Sequence, residues 1–252
     1  MEPGDWQKAA HDYEGEVLSV FENDHQGKIK ALINRFGNNH EQAIDLGCGV
    51  GKFLPLLAGN FGEVHACDYS RAMLESAQTR HGKLGNITFS ECDLRKSPPN
   101  VPASDFVLCV NVLITSSLAE RELMWQNLAK SVRKGGHVAL VIPSLESALL
   151  ARHRLVEWNL RDGQPPARAL QTGFGKTDSG NSRVARGGIL DCAGISTKHY
   201  LQTEISATAR RFHFHDRGSE KIEYPWNTEF HSPPRWMRDP FPWDWLALLE
   251  KC

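Results

Sequence analysis

The sequence predicts an α/β fold in which parallel strands are joined by helical crossovers. Three observations point to it. Ala43, Ile44 and Leu46 belong to a short apolar run that ends in Gly47, Gly49 and Gly51, and apolar spacing resumes from Lys52 to Ala58. Strand, glycine turn and helix in that order are the layout of a nucleotide-binding crossover. Ser104–Val110 contains an unbroken apolar stretch of the kind buried on both faces of a sheet. Strand-like and helix-like segments alternate through the first half of the chain, the pattern of a parallel sheet with crossover helices.

Composition narrows the class. A chain of 252 residues can bury a sizeable core. A net charge of −1 supplies no global basic field for nucleic acid, which is therefore not expected as a partner. No run of eighteen apolar residues suggests a membrane span, and the polar N-terminus has no signal-peptide core. The six cysteines are Cys48, Cys67, Cys92, Cys109, Cys192 and Cys252. No two form a C-x-x-C pair, and four lie in or beside strand-like segments. A reduced, cytoplasmic protein without a metal site is expected.

The glycines are spaced G-x-G-x-G and preceded by Asp45, one residue shorter than the G-x-G-x-x-G dinucleotide fingerprint. This form resembles motif I of the class I S-adenosylmethionine-dependent methyltransferases. The resemblance implies that Asp45, Gly47, Cys48, Gly49 and Gly51 line a cofactor site.

Residues 5–36 carry apolar side chains that read as two helices, with the clearest spacing at Ile29, Leu32, Ile33 and Phe36. In the family the segment holding His11 and Tyr13 often folds over the cofactor, which makes Tyr13 a candidate at the reaction centre. A second strand, Glu63–Cys67, ends at Asp68, nineteen residues after Gly49. An acidic residue there can accept hydrogen bonds from both ribose hydroxyls. Ser70 reads as the N-cap of a helix from Arg71 to about Arg80. By resemblance, Tyr69 and Met73 border the adenine. A third strand, Asn86–Glu91, leads to Asp93 and Leu94. An acceptor beside an apolar neighbour there matches the family's contact to the adenine amino group.

The fourth strand, Ser104–Val110, ends at Asn111, which the resemblance places against the transferred methyl group and the substrate. No Asn-Pro-Pro-Tyr or Asp-Pro-Pro-Tyr signature for methylation of adenine or glutamine amino groups is present. Ser117 and Glu120 match a capping box for a helix through Val132, closed by Lys134-Gly135-Gly136. His137–Ile142 reads as a fifth strand, and the Lys-Gly-Gly turn before it is a further family match.

The second half is less regular. Leu145 to about Arg161 reads as a long helix, and residues 162–188 as a loop or insertion rich in Gly, Pro, Gln, Ser and Arg. From Arg152 to Arg186 there are seven Lys/Arg against three acids, a local excess able to attract an acidic substrate or RNA. Gly188–Asp191 and Ser196–Leu201 read as extended pieces able to form a hairpin, followed by a helix near Thr203–Arg211. In similar methyltransferases a Lys-His-Tyr-like stretch borders the substrate cleft. His199 and Tyr200 are therefore candidates to orient a nucleophile or take its proton. His213 and His215 alternate as on a strand, without a third metal ligand in view. Lys221–Tyr224 and Asp244–Leu249 read as the last two strands. The loop between them carries Trp226, Glu229, Phe230, Trp236, Phe241 and Trp243, either an aromatic wall of a substrate pocket or a packed cover on the sheet.

The resemblance implies a Rossmann-like methyltransferase fold: a doubly wound, seven-stranded, mostly parallel sheet with an antiparallel last strand. It implies one domain over 1–252. Residues 1–40 form a helical cap and 41–145 the cofactor-binding core. Residues 146–240 form the substrate side, with its helix, insertion and aromatic cover, and 241–252 the last strand. The expected cofactor is S-adenosyl-L-methionine, converted to S-adenosyl-L-homocysteine, with no metal. The expected partner is a small-molecule methyl acceptor. Two alternatives stand beside it: methylation of protein or RNA through the basic 152–186 segment, or a non-catalytic cofactor-binding interaction module.

Overall fold

The computed structural model describes residues 20–174, 187–192 and 195–252. In chain order the elements are α1 (Val20–Asn23), α2 (Lys28–Phe36), β1 (Gln42–Leu46), α3 (Leu54–Ala58), β2 (Glu63–Asp68), α4 (Arg71–His81), β3 (Ile87–Glu91), β4 (Ser104–Val110), α5 (Leu118–Ser131), β5 (Val132–Pro143), α6 (Leu145–Arg161), α7 (Pro166–Phe174), β6 (Ile189–Cys192), β7 (Ile195–Lys198), α8 (Gln202–Arg211), β8 (Phe214–Glu223) and β9 (Trp243–Lys251). Seven strands form one sheet in the order β3-β2-β1-β4-β5-β9-β8, and β6 pairs with β7 in a separate hairpin. Strands β1 to β5 pair parallel, whereas β9 runs antiparallel to both β5 and β8. Chain order reverses between β1 and β4, which leaves a crevice at their carboxyl ends.

Period-two alternation assigns the strand residues to two cores. Ile44, Leu46, Val107, Cys109, Val138 and Leu140 face Trp125 and Leu128 of α5 and Ile205 and Ala209 of α8. Ala43, Val64, Ala66, Phe106, Leu108 and Val141 face Ile29 and Ile33 of α2, Leu54 and Leu57 of α3, and Ala77 of α4. Helices on both faces are what allow central strands to be apolar throughout.

The caps follow the sequence in part. The Ser70 hydroxyl accepts from the Met73 N–H at 3.4 Å, and the Ser117 hydroxyl from the Glu120 N–H at 3.4 Å. The Glu120 carboxylate turns instead to the Thr115 hydroxyl, so only half of the capping box forms as expected. Helix α5 ends at Ser131, ahead of Lys134-Gly135-Gly136. Val132 already pairs with Ser104, and the glycine turn lies inside β5 with Gly135 at φ 75°. The expected 162–188 loop contains α7. Pro166 opens that helix at its first residue, where the missing N–H costs nothing. The aromatic loop after β8 is a packed cover. Trp226 and Met237 are buried with Ala151 of α6, and Phe230, Trp236 and Phe241 pack around them. His213 stands just before β8 with φ 63°, and His215 within it. His11 and Tyr13 lie outside the described residues.

Candidate active site

A cavity of about 430 Å³ opens at the carboxyl edge of the sheet, over the β1/β4 crevice. The ends of β1, β2 and β4 feed it with Asp45, Asp68 and Asn111, and Asp93 joins from the turn after β3. Because β9 is antiparallel, its first residues lie at the same edge, and Asp244 lines the cavity too. Phe21 and Phe53 close one side with rings edge to face at 5.1 Å.

The expected cofactor-site residues Asp45, Gly47, Cys48, Gly49, Asp68, Tyr69, Met73, Asp93, Leu94 and Asn111 all line this one cavity. Asp68 is the hinge of the arrangement. Its Oδ2 accepts from the Gly49 N–H at 3.0 Å and its Oδ1 from the Ser70 N–H at 2.8 Å. With a further backbone N–H bond from Tyr69, the carboxylate still keeps acceptor capacity for a ligand. Asp93 is held by Arg95, which donates through Nε at 2.8 Å and Nη2 at 3.0 Å. Partial burial alone would raise the Asp93 carboxyl, but Arg95 and then Lys96 hold it below its ordinary value. The Arg95 guanidinium also lies 5.2 Å from the Tyr69 ring centre.

Two expectations require correction. Gly51 does not line the cavity. At φ 84°, a Cβ there would meet the His81 ring and Leu54 at 2.8 Å, so this glycine serves the seating of α3 on α4. Tyr200 is 2 % exposed, outside the lining, and its hydroxyl donates to the Leu113 carbonyl at 2.5 Å. Burial pushes its phenol well above the ordinary value. Tyr200 is thus a core residue, while its neighbour His199 faces the cavity, as alternation along an extended segment requires. Tyr200→Phe is expected to lower unfolding free energy by about 1–2 kcal/mol through the orphaned Leu113 carbonyl. Cofactor affinity should be unchanged. Urea titration and calorimetry on the variant check both halves.

On the other wall sequence reasoning named Asn111 and His199 but missed Asp244. Asp244 is 8 % exposed and accepts from the Tyr224 hydroxyl at 2.9 Å, and Asn111 also hydrogen-bonds to it. Burial pushes its carboxyl up to about 6 against those two hydrogen bonds. Glu229 lines the cavity beside it, raised by burial and then by the Asp244 charge. The available signal was an acid between two tryptophans, Trp243-Asp244-Trp245, at the start of an otherwise apolar strand. Asn111 itself adopts φ 54°, a conformation uncommon outside glycine that asparagine tolerates better than most. Burial keeps the His199 imidazole below its ordinary value.

Acid accumulates in the cavity. Asp45 is 3 % exposed; burial, and then the charge of Asp68, push its carboxyl up to about 7. Its Oδ2 has no hydrogen-bond partner among the described residues. Burial also raises Asp68, against backbone N–H bonds from Ser70, Gly49 and Tyr69. Between the ordinary carboxyl value and these raised ones, the folded state binds more protons than the unfolded chain. The free protein is therefore expected to lose stability as pH rises, through about 7 for Asp45. Denaturant unfolding at pH 5.5 and 8 checks this: Asp45→Asn should flatten the difference, and an unchanged slope would remove Asp45 as its source.

These residues fit an adenosyl sulfonium ligand. A buried, unsatisfied Asp45 oxygen suits a cationic group, Asp68 retains acceptors for a diol, and Met73 and Leu94 give apolar walls. Fold and site together define a cofactor-binding α/β domain of the S-adenosylmethionine type. A family model described as a methyltransferase domain matches residues 43–136. The dTDP-3-amino-3,6-dideoxy-alpha-D-glucopyranose N,N-dimethyltransferase of Streptomyces fradiae is 34% identical over 80 residues, covering 28% of this chain and 31% of that protein. The phosphoethanolamine N-methyltransferase of Triticum aestivum is 21% identical over 203 residues, covering 77% of this chain and 40% of that one. The chain thus spans less than half the length of these relatives. The DhpI structure with S-adenosylhomocysteine is similar at TM-score 0.60 and 16% identity, over 99% of this chain and 94% of that one. Residues 43–136 thus match a methyltransferase domain, and the fold around them is the Rossmann-like one of the solved S-adenosylmethionine-dependent methyltransferases. No helix among the described residues is long and apolar enough to cross a membrane.

Proposed function

We propose that this protein transfers a methyl group from S-adenosylmethionine to a small-molecule acceptor held in the same cavity. The observation that carries this reading is continuity: one cavity joins the Asp45–Asp68–Asp93 side to the Asn111–His199–Asp244 side. When bound, the cofactor supplies a methyl group already activated by its sulfonium. The chain then acts by holding and orienting. Asp68 and its backbone bonds fix the nucleoside end, Asp45 offers an anionic oxygen to a cationic group, and Asn111 stands between the two walls. Positioning of this kind can lower a barrier by about 7–11 kcal/mol, which is why no catalytic dyad is required. The two relatives act on small molecules by their names, which supports the reading.

Two of the seven cations in the basic 152–186 segment have partners within the fold, which weakens the reading of a macromolecular substrate. Arg154 and Arg161 both pair with Glu157 at 2.8 Å, and the Arg161 guanidinium stacks 4.1 Å from the Trp236 ring centre. These cations are committed to fastening α6 to the aromatic cover. The test is parallel calorimetric titration with S-adenosylmethionine, S-adenosylhomocysteine and NAD, followed by an acceptor screen with the cofactor present. Binding of the two adenosyl ligands but not NAD, with a methylated small product, is the expected result. Binding without turnover on any acceptor would favour an interaction module.

A further inference from the structure

The acceptor side of the cavity has a chemistry of its own, and the inference drawn from it rests on the methyltransferase reading above. Its most buried polar groups, Asn111 and Asp244 with Glu229 beside them, present acceptor oxygens. Asn111 Oδ1 is buried and has no partner among the described residues, because the Asn111 side chain already bonds to Asp244. Asp244 and Glu229 add two carboxyls, and burial and then the Asp244 charge raise Glu229. The cations in the lining have other commitments: Lys52 pairs with Glu22 at 2.7 Å and Arg95 with Asp93 at 2.8 Å. Burial works against a charge on His199. Two carboxyls beside an unmet amide oxygen are complementary to a ligand rich in N–H groups and carrying positive charge.

We propose that the acceptor is an amine, taken as its ammonium by the Asp244 carboxylate and Asn111 Oδ1, with Glu229 beside them. An ammonium has no lone pair, so one proton must leave before reaction, and Asp244 is the group placed to take it. The freed lone pair forms the C–N bond to the methyl carbon. The C–S bond breaks with its electron pair remaining on sulfur, giving the thioether and a methylated ammonium. The proton on Asp244 then passes to water. Asp244 titrates close enough to neutrality for both halves of that cycle.

The test uses the full chain and matched probes: benzylamine, benzyl alcohol and benzoic acid, then cyclohexylamine, cyclohexanol and cyclohexanecarboxylic acid. Binding is read by calorimetry on the S-adenosylhomocysteine-loaded protein, and methyl transfer is followed separately with S-adenosylmethionine. Amines are expected to bind and to be methylated, the alcohols and acids not. Asp244→Asn should weaken amine binding by about 10–100-fold, the loss of a charge-assisted hydrogen bond, and shift S-adenosylhomocysteine affinity less than about twofold. Glu229→Gln should weaken amines in the same direction and stands in if Asp244→Asn misfolds. Alcohols bound as tightly as amines, no amine bound at all, or full amine affinity in a folded variant would each overturn the inference while leaving the methyltransferase reading standing. Failure of S-adenosylhomocysteine itself to bind wild-type protein would overturn that reading first.

Discussion

Asp68→Ala should raise the dissociation constant for S-adenosylhomocysteine by about 10²–10⁴-fold. The estimate assigns Asp68 two hydrogen bonds to a ribose, each worth about 1.5–3 kcal/mol because the acceptor is charged. The same substitution removes the acceptor of the Gly49 and Ser70 N–H groups, at 3.0 and 2.8 Å. The glycine turn then loses its tie to β2, so affinity falls through lost shape as well as lost contacts. Near-UV circular dichroism must accompany the titration to separate ligand loss from unfolding. Asp68→Asn keeps the shape and one oxygen, and should fall between wild type and alanine. Wild-type affinity in a folded Asp68→Ala protein would mean that the ligand lies elsewhere in the cavity.

Gly47→Ala should destabilise the fold by about 2–5 kcal/mol. At φ 73° a non-glycine residue costs roughly 1–2 kcal/mol. The new methyl would also sit 2.4 Å from Val112 Cγ2, and overpacking of this kind costs about 1–3 kcal/mol. Valine cannot swing aside freely, because its branched Cβ restricts χ1. The two contributions separate in a double-mutant cycle. Adding Val112→Ala should recover the steric part and leave the backbone part. Additive losses in urea titrations would show that the clash is relieved by a shift of the turn instead. Gly49→Val, at φ 53°, should abolish cofactor binding for a related reason: its branched side chain would project beside the Asp68 contact.

The gathering of Asp45, Gly47, Gly49 and Asp68 at one cavity was legible because the structure there is local. Asp45, Gly47 and Gly49 sit at one strand end within five residues, and Asp68 and Ser70 at the next. Strand-to-helix turns of this kind are specified by φ requirements and caps that depend on immediate neighbours. Gly51 looked like part of the same series but answers to His81, thirty residues away, a contact no spacing rule contains. His199 and Tyr200 were inseparable in sequence, since which of two adjacent residues faces a cavity depends on the strand's orientation in the fold. The part that Asp244 plays in the opposite wall was illegible for a stronger reason. Asp244, Glu229, Tyr224 and Asn111 meet only because β9 inserts backwards between β5 and β8. Helix α7 was missed because Pro165-Pro166 reads as a breaker, although a proline at a helix's first position favours its start.

The reversed β9 also orders events during synthesis. A ribosome delivers strands from the N-terminal side, and β1 to β5 can pair among themselves as they emerge. Strand β8 then waits without a neighbour, because among the described residues its partner in the sheet is β9, which follows it in the chain. The nucleoside-facing wall can thus exist on a nascent chain while Asp244 is still in the exit tunnel. The Asp45–Asp68 side of the cavity can mature first, and the side that holds Asp244 is completed only when β9 arrives.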